Sequence, residues 1–78
     1  MKDATWYIRN LDEGLITDDG VTPTEFSSKK DAMNWIGAKS SKKIIRGLYE
    51  VKKEYDWDGI IRTFFIGTKA GLEMYRWE

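Results

Sequence analysis

Residues 58–66 read DGIIRTFFI, and this stretch decides the fold. An Asp-Gly pair between two strand-like runs is a strong signal for a β-hairpin. After the turn, Phe64 and Ile66 fall on one side of an extended chain, and Ile61 and Phe65 fall on the other. Because both sides are apolar, the stretch predicts a central strand of a sheet that is covered on both faces.

The segments on either side of this strand extend the sheet. Residues 42–56 fit either a helical face or an alternating strand, and we interpret them as a strand because the hairpin signal needs a strand before the turn. Residues 67–71 then predict a further turn. Residues 72–77 predict a last strand, since their side chains alternate in the manner of a half-buried strand.

The N-terminal part of the chain predicts two more strands. Residues 5–10 are rich in aromatic and β-branched side chains, which suit a pleated surface. Residues 11–20 contain two acidic-Gly turn signals and indicate a loop or a wide hairpin. Residues 21–26 then predict a second strand, and Pro23 confines it to an edge or makes it irregular because proline has no amide hydrogen to donate.

One short helix is predicted between these strands. Ser28 can accept a hydrogen bond from a first-turn amide, and Asp31 places negative charge at the positive end of the helix dipole. Gly37 offers a left-handed stop. The apolar residues at helical spacing on this segment are Ala32, Trp35 and Ile36.

The predicted fold is a single α+β domain over residues 1–78, a mostly antiparallel sheet in the order β-β-α-β-β-β with the helix on one face. A chain of this length has room for one core. One short helix leaves the second face of the sheet uncovered. Sheet curvature, a second copy of the chain or a different protein would each cover it, so homodimerisation is compatible with the pattern.

The composition argues against catalysis. The chain has no His and no Cys, which removes the commonest general base and the thiol nucleophile. Glu54, Asp56 and Asp58 alternate beside a predicted turn, where acidic residues are ordinary, and their spacing matches no metal-binding loop. The acidic residues of segment 11–20 match none either. We therefore predict no enzyme activity, no cofactor and no metal.

The location of the protein is predicted from the same composition. The N-terminus lacks the apolar run of a signal peptide, and no stretch has about 18 consecutive apolar residues. Without cysteines, nothing indicates an oxidising compartment. The expectation is a cytoplasmic protein that does not enter a membrane.

Charge is strongly segregated along the chain although the net charge is zero. Residues 1–28 carry a net charge of −4, residues 29–53 carry +6 and residues 54–78 carry −2. The basic middle segment, with aromatic residues interleaved, is able to follow a phosphate backbone, so nucleic-acid binding is one hypothesis. The predicted phosphate contacts are Lys39, Lys42, Lys43 and Arg46.

Aromatic content favours a different hypothesis. Four Trp, four Tyr and three Phe in 78 residues exceed what a small core needs, and Trp and Tyr dominate binding hot spots. We predict a non-catalytic protein-binding module, an inhibitor or regulator that acts by steric occlusion and charge complementarity. Its predicted contacts are Trp57, Tyr75, Trp77, Asp56 and Asp58. Small-molecule binding in an aromatic pocket is a third reading.

No stretch carries a family signature. In size and composition, as a small, charged and aromatic α+β chain without His or Cys, the protein is similar to small phage-encoded proteins that inhibit host complexes. This resemblance implies a host protein as the partner, and it names no residues.

Overall fold

The computed structural model describes residues 5–10, 14–54 and 59–76. The strands are β1 (Trp6–Asn10), β2 (Gly14–Leu15), β3 (Lys42–Ile45), β4 (Leu48–Glu54) and β5 (Ile61–Thr68). The helices are α1 (Lys29–Ile36) and α2 (Lys69–Met74). The predicted α+β architecture is confirmed, with α2 added at its end. Neither described helix has the length and apolar character needed to cross a membrane.

The sheet is antiparallel throughout and has the strand order β2-β1-β5-β4-β3. β5 is therefore the central strand, as its two apolar faces predicted. The hairpin of β4 and β5 is also confirmed, with pairing that runs from Leu48 opposite Gly67 to Glu54 opposite Ile61. Residues 55–58 of its turn lie outside the described residues.

The core lies between the sheet and α1, which packs on β1 and β5. Ile8, Val51 and Ile66 project from three neighbouring strands toward this helix, and each is buried. Burying an aliphatic side chain of this size contributes roughly 1.5 to 3 kcal/mol. We call this side of the sheet the helix face, and its reverse the second face.

Helix α1 begins and ends where the sequence predicts. The Ser28 hydroxyl accepts a hydrogen bond from the Asp31 amide at 3.1 Å, and Gly37 ends the helix with a φ of 83°. The predicted buried stripe is wrong at one position. Ala32 and Ile36 are buried, but Trp35 is 54% exposed, and Met33 packs against the core instead.

The second strand is not where the sequence placed it. Residues 21–26 form no strand; β2 comes earlier, and within this segment Phe26 forms an isolated bridge to Trp6 of β1. The physical reason is local. The Asp19 carboxylate accepts hydrogen bonds from the amides of Val21 at 2.9 Å and Thr22 at 2.7 Å, so these donors are used within a turn.

The strand interpretation of residues 42–56 is confirmed for its described part, residues 42–54, with one interruption. The segment forms β3 and β4, joined by a tight turn at Arg46 and Gly47. Gly47 has a φ of 82°, a conformation that glycine adopts without strain. After this turn the chain pairs β4 with β5, so β3 is left as one of the two edge strands of the sheet.

The predicted last strand over residues 72–77 is wrong for its described part, because residues 69–74 form α2. Thr68 caps this helix by accepting a hydrogen bond from the Gly71 amide at 3.1 Å. Gly67, predicted to begin a turn, instead continues β5. A Cβ atom there would come within 2.9 Å of the Leu48 and Leu72 side chains, so the strand needs glycine at this position.

The chain itself covers part of the second face. Leu72 of α2 lies over Gly67, and the Tyr75 ring packs beside Phe65 with 6.3 Å between the ring centroids. A second copy or a partner protein is not needed to cover this part of the sheet.

Candidate functional site

A groove of about 490 Å³ lies on the helix-face side, between the end of β1, the loop that follows β2, and α1. We call it the Trp35 groove. The described residues that line it are Asn10, Gly14, Leu15, Ile16, Thr17, Gly20, Trp35 and Phe64. Its volume falls within the roughly 300 to 1,000 Å³ typical of binding sites.

Trp35 is the most prominent side chain of the groove. It is the penultimate residue of α1, and Phe26 packs against its ring in an edge-to-face contact with 6.3 Å between centroids and 69° between planes. This contact holds one side of the ring while 54% of the residue remains exposed. An oriented and accessible Trp is the usual anchor of a protein interface.

The opposite wall of the groove is a loop that its own polar side chains organise. Thr17 bridges Pro23 across the loop, and its hydroxyl accepts a hydrogen bond from the Gly20 amide at 3.0 Å. The hydrogen bonds from the Thr22 and Val21 amides lower the pKa of the Asp19 carboxyl below its ordinary value. Asp19 is therefore ionised at neutral pH.

Four of the five predicted protein-binding residues belong to parts of the chain that the structure does not describe. Asp56, Trp57, Asp58 and Trp77 lie outside the described residues. Tyr75 is described, but it follows α2 rather than lying on a strand, and it is half-buried against Phe65 on the second face. It therefore lies on the other side of the sheet from Trp35.

The predicted phosphate contacts are all exposed, yet they do not form one stripe. Lys42 pairs with Glu50 and Lys43 pairs with Tyr49, so consecutive positions of β3 present these two lysines to opposite faces. Lys39 lies in the segment between α1 and β3, and Arg46 lies in the turn after β3. Lysines on an edge strand also have a structural role, because they oppose edge-to-edge pairing.

Tyr49 is the aromatic residue of the basic segment that lies in the sheet. Its ring already contacts other side chains of the fold. The Lys29 ammonium lies 4.1 Å from the centre of its ring, and the Trp6 ring packs beside it with centroids 6.2 Å apart. A base could stack on Tyr49 only by displacing these neighbours.

Lys53, another cation of the basic segment, also has a contact within the fold. Its ammonium donates a hydrogen bond to the Gly37 carbonyl at 3.0 Å, at the end of α1.

Within the described ranges no three His, Cys, Asp or Glu side chains come close enough to hold a metal ion. Glu54 lies at the end of β4, and Asp56 and Asp58, the other two acidic residues of its predicted cluster, lie outside the described residues.

Trp35 is the candidate site residue that sequence reasoning missed, because it was assigned to the core. One signal was available. Ala32, Met33 and Ile36 form an apolar stripe at helical spacing, as do Ala32, Trp35 and Ile36. Because an eight-residue helix buries only one narrow stripe, either Met33 or Trp35 has to remain exposed.

The described residues thus form a small α+β domain with a surface groove beside an exposed Trp. Comparisons of the chain with protein-family models, with curated proteins and with solved structures find no match.

Proposed function

We propose that this protein is a non-catalytic protein-binding module that acts as an inhibitor or regulator by occluding a surface of its partner. The observation that carries the proposal is the exposure of Trp35 beside the preformed groove. A Trp in this setting costs about 2 kcal/mol or more of binding free energy when it is truncated at a hot spot.

A second exposed apolar surface lies at the same end of the sheet as the Trp35 groove. This supports that end of the molecule as the contact region. β1 ends at Asn10 and β4 ends at Glu54, and both ends lie beside the first half of β5. Ile60, which precedes β5, and Ile61, its first residue, are 51% and 59% exposed. The predicted contacts Asp56, Trp57 and Asp58 precede these residues in the chain, and they remain part of the proposal with Tyr75 and Trp77.

The test is affinity capture from a lysate of the source cells with the wild type, Trp35→Ala and Val21→Ala, each with and without nuclease. Val21 is the matched control because it is apolar and 82% exposed but does not line the groove. We expect a stoichiometric protein that survives nuclease, is retained by Val21→Ala, and is weakened about thirtyfold or more by Trp35→Ala.

Two other results would count against this function. Retention that disappears with nuclease would favour nucleic-acid binding through the basic segment. Equal retention by Trp35→Ala and the wild type would remove the groove from the contact surface. A thermal melt accompanies both variants, and we expect Trp35→Ala to remain folded because the residue lies outside the buried core.

A further inference from the structure

We infer that the segment which occupies the Trp35 groove carries a Lys or Arg next to an aliphatic side chain. This inference rests on the proposed protein-binding function and adds the chemistry of the partner to it. Two features of the groove carry it: an apolar floor beneath an exposed indole, and an acidic loop at the rim.

The floor of the groove suits an aliphatic group. Leu15 borders the groove, but its pairing with Arg9, opposite Phe65, directs its side chain to the second face. The apolar floor is made by Phe64, which is buried, and Ile16, which is half-buried against the core. A Leu or Val side chain set on these residues would remove apolar surface from water on both molecules, which stabilises a complex by roughly 25 cal/mol per Å² of apolar area.

The rim of the groove selects a cation. Asp18 and Asp19 are exposed, and they lie between Thr17 and Gly20, both of which line the groove. Asp19 is held in its ionised form by two amide donors. The described residues that line the groove include no Lys or Arg. Opposite charge at a rim steers association and disfavours acidic partners.

The indole of Trp35 adds a second reason for a cation. The face of a Trp ring attracts an ammonium or guanidinium group, most strongly where the pair is partly shielded from water. Phe26 meets the ring in an edge-to-face arrangement, and more than half of Trp35 remains accessible. A Lys or Arg stem is able to lie along the ring while its charged head approaches the acidic loop.

The test uses two synthetic nine-residue peptides of equal composition apart from charge, one with alternating Lys and Val and the other with Glu in place of Lys. Two-dimensional NMR of the ¹⁵N-labelled full chain follows the Trp35 indole, Leu15 and Gly20. We expect the Lys peptide to shift these signals and the Glu peptide to bind at least tenfold more weakly. Trp35→Ala should abolish the response to the Lys peptide.

A charge-neutral variant isolates the rim. Asp19→Asn keeps a side-chain oxygen that can accept from the Val21 and Thr22 amides, and Asp18→Asn changes only charge. We expect the double variant to bind the Lys peptide about three- to tenfold more weakly at low salt, the size expected for exposed ion pairs. The wild-type affinity should fall with salt, and that of the variant much less.

Three results of the peptide titrations would overturn the inference. They are equal binding of both peptides, shifts confined to residues outside the groove, and no response up to about 1 mM peptide. Self-association of the wild type that Trp35→Ala removes, measured by sedimentation, would place a second copy in the groove and would equally overturn it. A lysate partner that depends on Trp35 would then leave the proposed function standing without this partner chemistry.

Discussion

At the scale of single residues, Asp19 shows how a side chain diverts a predicted strand into a loop. Its carboxylate takes the amides of Val21 and Thr22, the donors that a second strand would have offered to a neighbour. Short polar side chains compete with sheet pairing in this way. A strand prediction made from β-branched and aromatic content does not include this competition. Val21 is β-branched and suits a strand, yet it is 82% exposed in the loop.

Asp19 also makes the loop sensitive to pH. Because the folded-state pKa lies below the ordinary value of 3.8, the hydrogen bonds persist above that value and are lost as the pH falls through the folded pKa. We expect the Val21 and Thr22 amide signals to shift with the Asp19 carboxyl carbon in an NMR titration below pH 3.8.

Two variants check the cause of this effect. Asp19→Ala should expose both amides to faster hydrogen exchange at neutral pH, whereas Asp19→Asn should keep them protected. Equal exchange in the wild type and in Asp19→Ala would show that the carboxylate does not organise the loop.

At the scale of elements, α2 is held by a close approach of two backbones. Gly71 of the helix lies against the carbonyl of Gly47 in the turn between β3 and β4, and the Thr68 amide donates to that carbonyl at 2.9 Å. A Cβ atom at position 71 would overlap the carbonyl group. No flexible side chain is available there to move aside.

Gly71→Ala should therefore destabilise the protein by roughly 1 to 3 kcal/mol, even though alanine is the better helix former. Glu73→Ala is the control, because it changes an exposed position of the same helix. The measurement is urea unfolding of both variants, compared with the wild type. A Gly71→Ala variant as stable as Glu73→Ala would mean that α2 does not dock in this way.

The elements also show what sequence patterns determine. The central strand, the β4–β5 hairpin and both ends of α1 depend on strong local signals, and all are found. The C-terminal helix was missed because Leu72 and Met74 alternate as in a strand, while the docking of Gly71 on Gly47 is a long-range contact. The surface position of Trp35 likewise depends on which side of an eight-residue helix meets the sheet.

At the scale of the whole molecule, the acidic and basic segments of the chain predict different partners at different surfaces. The acidic loop borders the Trp35 groove, whereas the basic residues of β3 and its turn lie on the far edge strand. A protein contact at the groove and a nucleic-acid contact at the edge should therefore respond to different substitutions.

Changing Lys42, Lys43 and Arg46 together to Glu separates the two functions. We expect this variant to keep the captured protein partner within about twofold, because none of the three residues lines the Trp35 groove. The readouts are quantitative capture and filter binding of labelled DNA and RNA across a salt series. Trp57→Ala and Trp77→Ala, made separately, should weaken the protein complex without changing retention of nucleic acid.

The opposite pattern would reverse the assignment. If the triple charge reversal abolishes a salt-sensitive retention of DNA or RNA while the Trp variants leave it intact, the basic segment is the functional surface.

The loop that forms one wall of the Trp35 groove interrupts a pairing that is otherwise continuous along β1. Gly14 and Leu15 pair with β1, Ile16 donates to the Ile8 carbonyl, and Phe26 resumes contact at Trp6. The residues between Ile16 and Phe26 are thus an insertion that the sheet does not need for its register. Asp18 and Asp19 lie in this insertion and outside the paired strands, so natural variation or a display library confined to these two positions can redirect what the domain recognises while the sheet keeps its register.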